Sequence, residues 1–202
     1  MRKLIATFLT TTLSAAALVA DPQLARTTAG KYVRLDDDGK WTYLTESGLN
    51  EFLGKTQAGE LKSTIFPGAG LKFQSGKWNL TNSTNKDAEF TLRDLGDGLY
   101  CMFIPEKGSF SLELLKQAVV ENAKSAVDSY NIVSEERRVI NGKEFLILKA
   151  AITMKRTNFL FKYALYSQDG YSLQTIVYGL EEPFKANKAI ADKLLFEGVI
   201  VP

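Results

Sequence analysis

Side chains able to do chemistry are few in this sequence, and their spacing suits little of it. The chain has 202 residues, no histidine and one cysteine. Without an imidazole there is no Ser-His or Cys-His nucleophile system and no histidine-containing metal site, and one thiol cannot form a zinc cluster. No glycine-rich phosphate loop ending in Lys and Ser or Thr occurs. Carboxylate chemistry remains, because glycoside hydrolysis needs only two acids at a suitable separation. Glu135 and Glu136 are adjacent, so on a strand they face opposite sides. Asp94 and Asp97 flank a turn. The run Asp36-Asp37-Asp38-Gly39-Lys40 starts like a calcium loop but lacks the later ligands and the closing Glu, and it reads as a solvated turn. Lys149, Lys155 and Lys162, with Tyr163, Tyr166, Tyr171 and Tyr178, suit either a binding surface or ordinary strand packing. The sequence thus assigns no catalytic, cofactor-binding or metal-binding residue, and no cofactor.

The elements that would position these groups are clearer toward the C-terminus. Four strands are expected at 132–140, 143–155, 159–167 and 171–179, with breaks at Asn141-Gly142, Thr157-Asn158 and Asp169-Gly170. Asn-Gly and Asp-Gly accept the positive backbone angles of tight hairpins, so a β-meander is expected, and Asn141 and Gly142 serve the backbone rather than chemistry. Several of these strands carry apolar groups on both faces, which implies a sheet covered on both sides. Residues 111–130 place Leu112, Leu115, Val119, Ala123, Ala126 and Tyr130 at helical spacing, with Ser109 or Ser111 as cap. A second helix is expected after Glu181-Glu182-Pro183, with a flaw in its apolar stripe at Asn187 and a stop at Gly198. Upstream, "KWNLT", "AEFTLRD" and "LYCMFI" read as strands, and the last makes Cys101 a buried thiol. "KYVRL" and "WTYLT" read as a hairpin around Asp38-Gly39. The glycine-rich stretch that follows the hairpin, 46–70, reads as loop, with one helical turn near Leu49 to Leu53.

The start, "MRKLIATFLTTTLSAAALVADP", has the layout of a secretory signal peptide: Arg2 and Lys3, then no charge until Asp21. Cleavage is expected after Ala20 or after Ala17. Counted without Arg2 and Lys3, the chain has 23 basic and 23 acidic residues, a formal net charge of 0. A balanced chain without a basic block argues against nucleic-acid binding, and no later run has the length of a membrane span. Asn79-Leu80-Thr81 and Asn82-Ser83-Thr84 match glycosylation sequons. The expected organisation is a signal peptide at 1–20, a β-hairpin and loop-rich extension at 21–71, and the main domain at 72–202.

The Trp78 strand, "LYCMFIPEKGSFSLELLKQAVVENAKSAV", "VSEERRVINGKEFLILKAAI", "YSLQTIVYG" and the final helix follow in an order that resembles the PsbP superfamily, over about residues 72–199. The resemblance implies an α+β fold, an antiparallel sheet flanked by helices on both faces as an α/β/α sandwich. It also implies a role in binding and scaffolding: one branch of that group serves photosystem assembly, another partners a small nuclear-transport GTPase, and exported bacterial members exist. The expectation is a periplasmic or secreted, non-enzymatic binding or accessory protein. Its partner would be another envelope or secreted protein, with no nucleic acid and no stable membrane insertion after signal removal. The alternatives are a carboxylate-dependent hydrolase, which requires converging acids, and a small-molecule or lipid carrier, which requires an apolar cavity.

Overall fold

The computed structural model describes residues 23–27, 31–35, 39–45, 48, 59–83, 85–96 and 98–202. The expected signal peptide, the helical turn near Leu49 to Leu53, Asp36 to Asp38, Thr84 and Asp97 lie outside the described residues. Three short strands come first, β1 (Gln23–Arg26), β2 (Tyr32–Leu35) and β3 (Trp41–Tyr43), and form a small antiparallel sheet. The expected β2–β3 hairpin is present, while β1 escaped the sequence reading.

Next come β4 (Gly59–Lys62) and β5 (Gly70–Phe73), where a loop was expected, and β5 runs across the expected boundary between 71 and 72. Their glycines are not loop signals. A Cβ on Gly59 would lie 2.2 Å from the Phe73 ring, and one on Gly70 would lie 2.4 Å from the Leu61 carbonyl oxygen. Glycine lets the two strands close on each other. The connection between them is held by Glu89: its carboxylate accepts from the Ser63 and Thr64 hydroxyls and from the Thr64 backbone N–H at 2.6–2.7 Å.

The main sheet follows from β6 (Trp78–Leu80), β7 (Phe90–Asp94), β8 (Leu99–Lys107), β9 (Ser129–Ile140), β10 (Lys143–Met154), β11 (Thr157–Gln168) and β12 (Tyr171–Leu180). Its seven strands lie in the order β6-β7-β8-β12-β11-β10-β9, every neighbour antiparallel, so the expected meander forms its larger half. Asn141-Gly142 and Asp169-Gly170 adopt positive φ as expected, 51° and 79°, then 51° and 82°. The third turn is corrected by one step: Met154 pairs with Thr157, so the loop is Lys155-Arg156, not Thr157-Asn158. Asn158 instead accepts from the Thr153 hydroxyl across the hairpin. Lys155 and Arg156 sit at φ 50° and 64°, where a Cβ costs about 1–2 kcal/mol per residue. Arg156→Gly is therefore expected to stabilise the protein by about 1 kcal/mol, read as a Tm rise of roughly 2–4 °C. An unchanged or lower Tm would show that the turn carries no such strain.

Helix α1 (Leu112–Ala126) begins at Ser111, whose hydroxyl accepts from the Leu114 N–H. It ends earlier than expected: Tyr130 belongs to β9, and Ala126 is exposed. The C-terminal helix is broken into α2 (Glu181–Ala186), α3 (Lys188–Lys193) and a π-helical turn, Leu194–Gly198. The first break falls at Asn187, which leaves the helical region at φ −111° and whose side-chain amide donates to the Pro183 carbonyl beside its own backbone N–H. The chain ends in β13 (Val199–Ile200), which pairs with β5 and completes a small sheet in the order β13-β5-β4.

Two apolar clusters result. One joins Leu115 and Val119 of α1 to Leu146, Leu148, Ala150, Tyr163, Leu165 and Ile176. The other joins Phe145, Ile147, Ala164, Tyr166, Leu173 and Val177 to Phe66, Leu71, Phe184, Leu194 and Leu195. The alternation of β10 divides its residues between the two clusters, so each strand of the meander contributes to both. The second cluster is closed by the small sheet as well as by helical turns, so the described layer there is mixed.

Candidate functional site

The meander ends on β9, and no described strand pairs with its outer side. Nine consecutive residues, 131–139, are exposed, including Ile132 (44%), Val133 (53%) and Val139 (69%). Long exposed edges present unpaired backbone groups, and charges commonly guard them. Here the guards are Glu135, Glu136, Arg137 and Arg138. Lys116 of α1 pairs with Glu113 at 2.7 Å and with Glu135 at 2.9 Å, and Arg137 pairs with Glu113 at 3.3 Å and Glu144 at 2.6 Å. The hydrogen bond from Lys116 holds Glu113 below the usual carboxylate range. These pairs fasten α1 to β9 on one side. On the other, the Arg138 guanidinium lies 3.9 Å from the centre of the Phe196 ring. The adjacent acids Glu135 and Glu136 thus point to opposite faces, as the sequence indicates.

Inward from Ile132 runs an aromatic row. Ile132 faces Ala150, Ala150 faces Phe161, Phe161 faces Tyr178, and Tyr178 faces Tyr100. The Phe161 and Tyr178 rings stack at 4.8 Å and those of Tyr178 and Tyr100 at 5.5 Å. Burial, then Tyr100, pushes the Tyr178 phenol up to about 12, so it stays a neutral donor at physiological pH. Tyr163 is buried beside the row, its ring 6.0 Å from that of Phe161 and packed under α1, while Tyr166 and Tyr171 stack with Phe66 on the other face.

A second concavity, a cleft of about 540 Å³, opens between β5–β6 and the C-terminal helical segment. Lys72, Phe73, Gln74, Lys77 and Trp78 form one wall, and Ile190, Lys193, Leu194, Glu197 and Gly198 the other. Its base closes at Gly198, where a Cβ would meet the Lys72 carbonyl oxygen at 2.4 Å. Lys77 reaches the fully buried Asp94 side chain at 3.4 Å.

The remaining sequence candidates disperse. Lys162, expected on an exposed strand position, is buried, ion-paired to Asp192 at 2.6 Å and set over the Phe196 ring. Lys149 is half-buried directly opposite it, and Lys155 is exposed in its turn. Burial pushes the Cys101 thiol far above its ordinary range. Asn141 does more than turn the chain: its side-chain amide donates to the Val199 carbonyl and anchors β13. One carboxyl is raised by burial and by a neighbouring acid, Glu106 beside Asp87, a pair the sequence reading missed. Neither lines the cleft, whose one acid is Glu197. Among the described residues no group of three or more His, Cys, Asp or Glu side chains could hold a metal ion, and no helix is long and apolar enough to cross a membrane.

No protein-family model matches the sequence, and no curated protein matches it significantly. Solved structures do match by shape. The cyanobacterial PsbP of Synechocystis superposes with a TM-score of 0.51 at 11% identity, over 67% of this chain and 87% of that one. The fold is PsbP-like. A second protein of this PsbP-like shape is LpqN of Mycobacterium tuberculosis, described as involved in cell envelope biogenesis, with a TM-score of 0.51 at 14% identity over 75% of this chain and 96% of that one. At such identities the PsbP-like fold is shared, while functional residues do not transfer.

Proposed function

We propose that the protein is an exported, non-enzymatic accessory of the cell envelope that binds another envelope or secreted protein along β9. The observation that carries this is the long edge, unpaired among the described residues, with Ile132, Val133 and Val139 exposed and continuous with the aromatic row behind Ile132. An extended segment can add to such an edge through main-chain hydrogen bonds, with side-chain contacts supplying selectivity. The envelope role of LpqN and the signal-like start of this chain are consistent with that place of action. The proposal includes a signal peptide at 1–20, an extension at 21–71 and a domain at 72–202, in which α1 covers one face of the sheet and the C-terminal helical segment the other.

The test is crosslinked capture from an envelope extract of the host, with the mature protein tagged at its C-terminus, beside a Val133→Lys/Val139→Lys variant. Both substitutions add guarding charges to exposed positions and should leave the Tm unchanged. One protein recovered in near-stoichiometric amount by the wild type, and at least tenfold less by the variant, is the expected result. Equal recovery by both, or no specific recovery, would overturn the assignment of β9.

A further inference from the structure

The charges that guard β9 have an order that decides what can pair with it. A guard of one sign repels a second copy of itself. Residues 135–138 read Glu-Glu-Arg-Arg, and an antiparallel copy presents that run in reverse, bases against acids. The run is flanked by the exposed Val133 and Val139. The edge is thus complementary to itself in charge and in apolar character.

Geometry narrows the register. Two copies joined edge to edge in one antiparallel sheet are related by a two-fold axis normal to the sheet, and opposed side chains share a face. Faces alternate along a strand, so only residues an even number of positions apart can meet. Two registers keep the charged run together. With Arg137 at the axis, Glu136 meets Arg138 but Glu135 meets Val139. With Glu136 at the axis, Glu135 meets Arg137, Ser134 meets Arg138, and Val133 comes to Val139 at each end. Glu136 then faces its own copy, but each Glu136 has Arg138 of its own chain at 3.6 Å and that of the second copy on the diagonal. The second register is therefore favoured. The bulge of β9 falls at Val133, between the partners of Lys149 and Ala150, so the charged run lies in the regular part of the strand.

The side chains have capacity for these contacts. Glu135, Glu136, Arg137 and Arg138 are 36–57% exposed. Lys116 takes Oε1 of Glu135, and Oε2 accepts no hydrogen bond among the described residues. Arg137 of a second copy, itself paired to Glu113 and Glu144 of that copy, would continue the row of alternating charges from Lys116 and Glu135 across the axis.

We infer that, when no other partner holds it, β9 pairs with β9 of a second copy of this chain about Glu136, joining two seven-stranded sheets into one. This rests on the reading of β9 as a pairing edge, and it makes self-association and partner capture compete for the same backbone groups.

Sedimentation equilibrium of the mature protein up to about 200 µM should give twice the chain mass, as a single strand pair is a small interface of micromolar strength. Glu135→Arg/Glu136→Arg and Arg137→Glu/Arg138→Glu each set like charges across the axis and should associate at least tenfold more weakly. Mixed in equal amounts, the two variants are opposite in sign at every charged pair and should associate at least as tightly as the wild type. Such rescue requires both chains to be folded, which circular dichroism also checks. Glu136→Cys should form a disulfide with its own copy under mild oxidation, because opposed residues lie about 4.5–5.5 Å apart between Cα atoms. Ser134→Cys, which meets Arg138, should not, and the native Cys101 is buried. The inference is overturned by a wild type that stays monomeric, by variants that associate like the wild type, by a mixture that stays monomeric, or by a disulfide that forms as readily at 134 as at 136. A monomer that still captures a partner through β9 would sink this inference alone, and a dimer that captures none would sink only the assignment of a foreign partner.

Discussion

Asp192→Ala is expected to cost about 3 kcal/mol of stability. Lys162 enters the apolar interior from β11 with its side chain 11% exposed, and its ammonium meets the Asp192 carboxylate of α3 at 2.6 Å, where Asp192 is 26% exposed. The same ammonium lies 4.5 Å from the centre of the Phe196 ring. Lys149 stands directly across the strand pair, so without Asp192 the site holds an uncompensated charge facing a like charge. Removing one partner of a buried pair is costly because the other stays desolvated and alone, whereas replacing both with apolar groups is often neutral. Lys162→Met keeps the stem against Phe196, so the Lys162→Met/Asp192→Ala chain should recover to within about 1 kcal/mol of the wild type. Urea unfolding of the four chains closes the cycle. A loss below about 1 kcal/mol in Asp192→Ala, or a double variant no better than the single one, would show that this pair does not fasten the C-terminal segment to the sheet.

The second large effect falls on Phe66. It is 2% exposed in the connection between β4 and β5 and stacks on Tyr171 at 4.8 Å and on Tyr166 at 6.2 Å. Tyr166 in turn stacks on Phe145 at 4.9 Å, which is fully buried in β10. Phe66 is thus the apolar bolt between residues 59–73 and the meander, and the Glu89 carboxylate ties the same segment to the start of β7. Phe66→Ala should cost about 3–5 kcal/mol, the range for emptying a buried aromatic position, and lower the Tm by roughly 10 °C. Hydrogen exchange should then show the amides of β4 and β5 losing protection ahead of those of β10 and β11. A cost below about 1 kcal/mol would mean that 59–73 rests on the sheet without being keyed into it.

These two contacts mark where reading the sequence stops. Asn141-Gly142, Asp169-Gly170 and the period of residues 112–126 carry their geometry locally, in residues that tolerate positive φ or in the repeat of an amphipathic helix, so the meander and α1 were legible from the chain itself. The absence of histidine and the single cysteine are equally local facts, and they removed whole classes of chemistry before any fold was considered. Register was not local. Lys155 and Arg156 turn the chain because Met154 must face Thr157, although neither is a turn residue by type. Gly59 and Gly70 look like loop residues, yet they permit close strand contact, and β5 is completed by Val199 from the far end of the chain. The Lys162–Asp192 pair and both walls of the Trp78 cleft likewise come from segments far apart in sequence. Composition, turn chemistry and periodicity determine elements because each acts within a few residues. Which strand becomes the bare edge, which lysine is buried and which surfaces close around a cleft depend on packing between distant segments, and only the tertiary structure decides them.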